Sequence, residues 1–211
     1  MFYDCLLPVA FFYPMRILGI DPGSVVTGYG LVESASRRSR LIDSGFIRPD
    51  PKLPFGKRLL QIYNDLLILI SDCTPDEVAL ESVFYGKNVQ TMMKMCHARG
   101  VILLAVVNSD LPLFEYTPAE VKRAVVGTGS ASKTQVRFMV EQILGLPPSE
   151  NPDDTYDAIA LALCHSHRRT SSVPGSRPKN NLEDRLRQMG AYDKKNRLPE
   201  KIRALKVKRG A

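Results

Sequence analysis

Short apolar runs bounded by turn residues open the core of this chain, and longer stretches with apolar positions every three or four residues follow them. The run at 15–20 predicts a buried strand, ended by Asp21 and the Pro22-Gly23-Ser24 turn. Residues 28–33 and 41–47 predict second and third strands, with the polar stretch 36–40 as the turn between them. Links this short imply antiparallel hairpins. Over 55–72 the apolar positions Leu59, Ile62, Tyr63, Leu66, Leu67 and Ile70 recur at helical spacing, and Pro75 marks the stop. Residues 78–81 and 113–116 predict a fourth and a fifth strand, and helices are expected over 88–108, 132–144 and 153–167. The second half of the 88–108 helix is apolar all round, which predicts burial on more than one side and a place in a subunit interface. The order implies an α/β fold, with a mixed five-stranded sheet, its first three strands antiparallel, flanked by helices.

A chain of 211 residues, 44% apolar and 24% charged, suits one globular domain with appendages. Its net charge of +7 is unevenly placed. Residues 168–211 carry 14 Lys and Arg against 4 Asp and Glu, whereas 1–167 carry 15 against 18. The core is thus slightly acidic, and the tail is a polycation suited to holding nucleic acid without sequence preference. Pro174, Pro178 and Pro199, with few large apolar residues around them, argue against a packed tail. These shifts divide the chain into a non-core extension at 1–14, a domain at 15–168 and a basic tail at 169–211. The extension is apolar, but it lacks the basic start of a signal peptide and contains Asp4 and Pro8. Met15 is expected to be the natural start. No stretch reaches the roughly 18 apolar residues of a membrane span, so no membrane partner is expected. Cys5, Cys73, Cys96 and Cys164 form no C-x-x-C pair, which argues for reduced thiols in a cytoplasmic protein. Cys164, His165 and His167 do not share a helix face, so they make a poor metal set.

Four carboxylates carry the candidate chemistry. Asp21 and Glu81 each close an apolar run, and Asp154 and Asp157, three apart, lead into the last helix. A carboxylate just past a buried strand is destabilising unless paired, so several of them suggest a shared cation. All-oxygen ligands select hard divalent ions, chiefly magnesium or manganese. A parallel crossover would set the fourth strand beside the first, which puts Glu81 at the same edge as Asp21. Taken alone, Asp21 reads as a turn former and Asp154 or Asp157 as a helix N-terminal charge. Those readings leave Glu81 unexplained.

The segments ILGIDPGSVVTGYGLVE, ALESVFYGKNVQTMMKMCHARGVILLA, EYTPAEVKRAVVGTGSASKTQV and DDTYDAIALALCHSH occur in that order over 17–167. Together they resemble the RuvC family of Holliday junction resolvases. The resemblance implies an RNase H-like fold and a homodimer that binds four-way junction DNA and nicks two strands symmetrically in a metal-dependent reaction. It also implies the branch-migration proteins RuvA and RuvB as partners. Asp21, Glu81, Asp154 and Asp157 match the family's four acidic positions. Lys122 and Lys133 match its two basic active-site positions, and Phe84 its junction-facing aromatic. Tyr85, Lys87 and Asn88 in the same loop are further candidate DNA contacts.

Two ions about 4 Å apart can clamp the attacking and leaving oxygens of an in-line phosphoryl displacement. The expected cofactor is Mg2+, two per active site, with Mn2+ able to substitute. Asp21 is expected to bridge both ions, Asp154 and Asp157 to hold the one beside the water, and Glu81 the other. Lys133, in the first turn of its helix, opposes the helix dipole, and a phosphate partner would compensate. Lys122 would hold the scissile phosphate or stabilise the charge developing on it.

Other readings give different tests. An actin-like or sugar-kinase ATPase needs a second such domain, for which this length leaves no room. A catalytically dead nucleic-acid-binding module of the same fold predicts missing carboxylates, and all four are present. A related nuclease acting on other branched or structured nucleic acid is separated from a junction resolvase only by its substrate.

Overall fold

Successive side chains on a strand point to opposite faces of the sheet, and the two cores of this fold follow that alternation. The computed structural model describes residues 14–35, 38–82, 88–147 and 151–171. Strands β1 (Met15–Asp21), β2 (Thr27–Ala35) and β3 (Arg38–Ile47) come first, then helix α1 (Phe55–Cys73), strand β4 (Glu77–Glu81) and helix α2 (Val89–Asn108). Strand β5 (Leu113–Tyr116) and helices α3 (Pro118–Val126), α4 (Lys133–Leu144) and α5 (Asp153–Ser171) complete the order. The sheet runs β3-β2-β1-β4-β5, with β1 antiparallel to β2, β2 antiparallel to β3, and both β1–β4 and β4–β5 parallel.

On one face, Ile17, Ala79, Phe114 and Tyr116 pack with apolar residues of α3, α4 and α5. On the other, Leu18, Ile20, Val78, Leu80 and Leu113 pack with α1 and α2. In that alternation Asp21 follows Ile17 and Gly19, and Glu81 follows Glu77 and Ala79. Both carboxylates therefore fall on the face covered by α5. The parallel register pairs Ile20 with Leu80, so Asp21 and Glu81 reach the same edge at the same level.

Among the described residues the sheet and four of the five helices match the sequence pattern, and two local expectations need correction. The third strand starts at Arg38, so the polar stretch at 36–40 is not all turn; Arg38, Ser39 and Arg40 pair with Ala35, Ser34 and Glu33. An edge strand with a solvated face tolerates such residues. The nine-residue helix α3 also lies between β5 and α4, where no element was expected. The surface of α2 differs in detail as well. Ile102, Ala105 and Val106 are buried, but Leu104 is 60% and Val107 47% exposed, so one apolar stripe of the helix faces outward. Helix α5 runs to Ser171, three residues past the expected domain end. The extension at 1–13 and the tail at 172–211 lie outside the described residues. Cys73 and Cys164 are buried and Cys96 is exposed, and all three are free thiols. Among the described residues no helix is long and apolar enough to cross a membrane.

Candidate metal centre

Three elements deliver the carboxylates. Asp21 stands at the last position of β1, and Asp154 and Asp157 lie within the first five residues of α5. Acidic residues at a helix N-terminus are favoured by the unsatisfied amides there, which keeps this cluster compatible with helix formation. One oxygen from each of Asp21, Asp154 and Asp157 lies within 4.8 Å of the other two. Glu81, at the end of β4, is outside that tight set but near enough for its charge to act on Asp21.

Electrostatics show what this packing costs. The Asp21 carboxyl is pushed up to about 9 from 3.8, first by burial and then by the charges of Glu81, Asp157 and Asp154. Glu81 and Asp154 are raised as well, in each case chiefly by burial. A protonated Asp21 relieves the repulsion among these acids when no cation is bound. A divalent cation would take the place of that proton, and an all-oxygen donor set suits a hard ion. The residues therefore fit the implied metal, with Asp21, Asp154 and Asp157 as the tight group and Glu81 beside it.

Positive charge comes from two helices. Lys133, at the start of α4, donates from Nζ to Oδ2 of Asp157 at 2.7 Å. Burial works to lower the Lys133 ammonium, but the hydrogen bond and charge of Asp157 outweigh it and hold it above its ordinary value. Lys122 lies half-buried on α3 and is near enough for its charge to lower the Glu81 carboxyl. That helix is fixed by a capping box in which Thr117 and Glu120 satisfy each other's orphan groups, with Pro118 at its first position. Glu120 also accepts from Arg168 of α5 at 2.8 Å, which ties Lys122's helix to the one carrying the aspartates.

Sequence reasoning missed two supports. Arg99 of α2 donates from Nε to the Glu81 carbonyl at 3.2 Å and pairs with Glu115 of β5. Both side chains of that pair are largely buried, so the arginine holds the end of β4 from behind. At the opposite end of β4, His165 is fully buried between Tyr116 OH at 2.6 Å and Glu77 Oε2 at 2.6 Å. A neutral ring satisfies both contacts, because Nδ1 accepts from the tyrosine while Nε2–H donates to the carboxylate. Burial accordingly lowers the His165 pKa, against the opposing pull of Glu77. The histidine singled out beside Cys164 thus joins the sheet to α5.

Phe84, Tyr85 and Lys87 lie outside the described residues. Asn88 caps α2, its side chain accepting from the Thr91 amide at 3.1 Å, and this local task accounts for an Asn at that position.

Comparison with known proteins places the chain in a family. The family model described as crossover junction endodeoxyribonuclease RuvC matches residues 17–165. The chain is 47% identical over 156 residues to the crossover junction endodeoxyribonuclease RuvC of Pelotomaculum thermopropionicum, a match covering 74% of this chain and 95% of the relative. A solved structure of Thermus thermophilus RuvC in complex with Holliday junction substrate superposes with a TM-score of 0.69 at 32% identity, covering 74% of this chain and 95% of that one. The yeast mitochondrial Holliday junction resolvase Ydc2, at 14% identity and a TM-score of 0.56, shares the fold over 75% of this chain and 80% of its own. With a family match over residues 17–165 and a relative covered almost end to end, the chain belongs to the RuvC family of crossover junction endodeoxyribonucleases.

Proposed function

We propose that this protein resolves four-way DNA junctions by nicking two strands through divalent-metal-dependent phosphodiester hydrolysis, in recombination and repair. The observation that carries the reading is the convergence of Asp21, Asp154 and Asp157 within 4.8 Å, with Lys133 bonded to the cluster. Asp21, Asp154 and Asp157 would hold the ion, with Glu81 contributing beside Asp21. The ion is Mg2+, two per site, with Mn2+ as a substitute. When bound, such ions neutralise charge on the phosphoryl oxygens and supply an activated water.

The chain's own residues prepare that chemistry. Arg99 fixes the backbone of Glu81, and the capping boxes at Thr117 and Ser132 set the helices that carry Lys122 and Lys133. Lys133 sits more than half exposed at the edge of the cluster, with a side-chain exposure of 60%, where a phosphate can compete with Asp157 for its ammonium. Lys122 adds positive charge on the Glu81 side. Phe84, Tyr85, Lys87 and Asn88 follow Glu81 by three to seven positions in the sequence, which supports them as DNA contacts beside the cluster.

A four-way junction presents two like strands related by approximate two-fold symmetry, which a two-fold dimer matches with two active sites. The outward stripe of Leu104 and Val107 supports a homodimer. RuvA and RuvB as partners, and work in the cytoplasm, rest on family membership. The test is parallel cleavage of a synthetic four-way junction, a Y-fork and an RNA–DNA hybrid in Mg2+. Paired symmetric nicks in the junction, with the others cut poorly, are expected. Equal or faster cutting of the fork or hybrid would assign the site to another branched or structured nucleic acid.

A further inference from the structure

The helix that carries Asp154 and Asp157 lies against bare backbone of the sheet. In the β1–β2 register the residue opposite Asp21 is Gly28. A Cβ on Gly28 would collide with the carbonyl of Asp154 itself and would lie 2.9 Å from the Thr155 amide nitrogen. Two residues before Asp21 on β1, a Cβ on Gly19 would collide with the carbonyl of Ala158 and lie 2.9 Å from the Ala162 nitrogen. Glycine in a strand interior weakens the strand, and it often marks a place where another backbone must approach closely. Here that backbone belongs to the helix that carries the two aspartates, and at Gly28 to Asp154 itself.

The first turn of α5 is also held laterally. Thr155, fully buried, donates from Oγ1 to the Gly45 carbonyl of β3 at 3.2 Å. Tyr156 donates from its OH to Glu141 of α4 at 2.9 Å. With the sideways position set by these bonds, the height of the helix above β1 and β2 is what remains to decide how near Asp154 comes to Asp21.

We propose that Gly28 is a positioning residue for the metal centre, setting the separation of Asp154 from Asp21 by admitting the backbone of α5 directly onto β2. The proposal rests on the reading of the carboxylates as metal ligands and deepens it. A methyl group at this position must move the helix backbone by about 1.4 Å, from 2.0 Å to the 3.4 Å of ordinary van der Waals contact. Magnesium and similar ions demand near-ideal coordination at about 2.0–2.1 Å, and functional constellations tolerate displacements of only about 0.5 Å. The lost quantity is therefore metal affinity, ahead of folding.

The experiment titrates Mn2+ into the full chain and reads free ion by electron paramagnetic resonance, with circular dichroism to establish folding. Gly28→Ala is expected to bind Mn2+ at least about tenfold more weakly than wild type, the scale of lost support around a metal ligand. Adding Asp154→Glu to that variant, whose longer side chain reaches back across the gap, is expected to recover much of the affinity. Leu163→Ala, a cavity on the same helix away from the ligands, is expected to lower Tm and leave Mn2+ affinity unchanged. Should Gly28→Ala fail to fold, Thr155→Val removes the tie to Gly45 without added bulk and is expected to weaken Mn2+ binding severalfold. A folded Gly28→Ala protein with wild-type affinity overturns the proposal, as do equal losses in Leu163→Ala or, in the fallback, undiminished affinity in Thr155→Val. Wild type that takes up no Mn2+ overturns instead the metal-centre reading, and the positioning role with it.

Discussion

Lys133 Nζ reaches Asp157 Oδ2 across 2.7 Å, so the helix after the Gly127–Ser130 loop supplies a cation to an acidic cluster on another helix. The pair is partly solvated, and a solvated ion pair contributes little stability, in the range of about 0–1 kcal/mol. Its value is therefore expected in catalysis more than in folding.

Lys133→Gln is expected to leave Tm within about 2 °C of wild type while cleavage of the junction falls by about a hundredfold, the scale of losing one charge-stabilising donor. If Lys133 meets a phosphate, the logarithmic salt slope of junction binding should shrink by about one unit. Rates and slope both equal to wild type would return Lys133 to a solvated lysine.

Asp21→Asn removes one charge with almost no change of shape. Cleavage is expected to fall below about a thousandth of wild type, since an amide cannot supply the charge that a carboxylate metal ligand would. Junction binding measured by gel shift should persist. Without divalent ions Asp21 is protonated on folding at neutral pH, a cost the amide does not carry, so the variant should melt higher than wild type by about 2–4 °C per kcal/mol of that cost removed. A fully active variant would remove Asp21 from the metal set.

The His165 network makes stability depend on pH in a definite direction. Burial lowers the folded pKa below the ordinary 6.5, so the unfolded chain binds more protons once the pH drops under that value. The contribution is complete above about pH 6.5 and is lost as the pH falls below it, by at most about 1.4 kcal/mol per unit. Glu77, Tyr116, Arg168 and Arg169 face or surround the ring and shape this slope. Urea unfolding of wild type and His165→Gln between pH 5 and 8 should therefore diverge in slope at the acid end, and parallel curves would refute the assignment.

Leu104 and Val107 lie three apart on α2 and point outward, so a charge there should disfavour self-association. Leu104→Glu is expected to sediment as a monomer at concentrations where wild type is a dimer. Loss of coordinated paired nicks should accompany it. A dimer unaffected by this change would place the interface elsewhere.

How much of this was legible in the chain follows from the range of each signal. Strand β5 is read to the residue because a short apolar run between a proline and a Thr-Pro stop is a local pattern. The antiparallel start and the position of Asp21 at a strand end are equally local. Helix α3 also had a local signal, Thr117-Pro118-Ala119-Glu120 with Gly127 closing it, but its apolar stripe is too short for periodicity to reveal. The partnership of Arg99 with Glu81 and Glu115, and of His165 with Glu77 and Tyr116, joins residues 16 to 88 positions apart. No local pattern marks such pairs.

The amino-acid sequence alone determined the order and type of most elements, the family and the four carboxylates, because period, turn chemistry and ordered motifs are properties of neighbouring residues. Only the tertiary structure decided which carboxylates come within 4.8 Å, that Asp21 must share its surroundings with three other acids, and that α5 rests on Gly19 and Gly28. Those facts depend on the distance between a helix and a sheet, and that distance is set by side chains contributed from all of the layers at once.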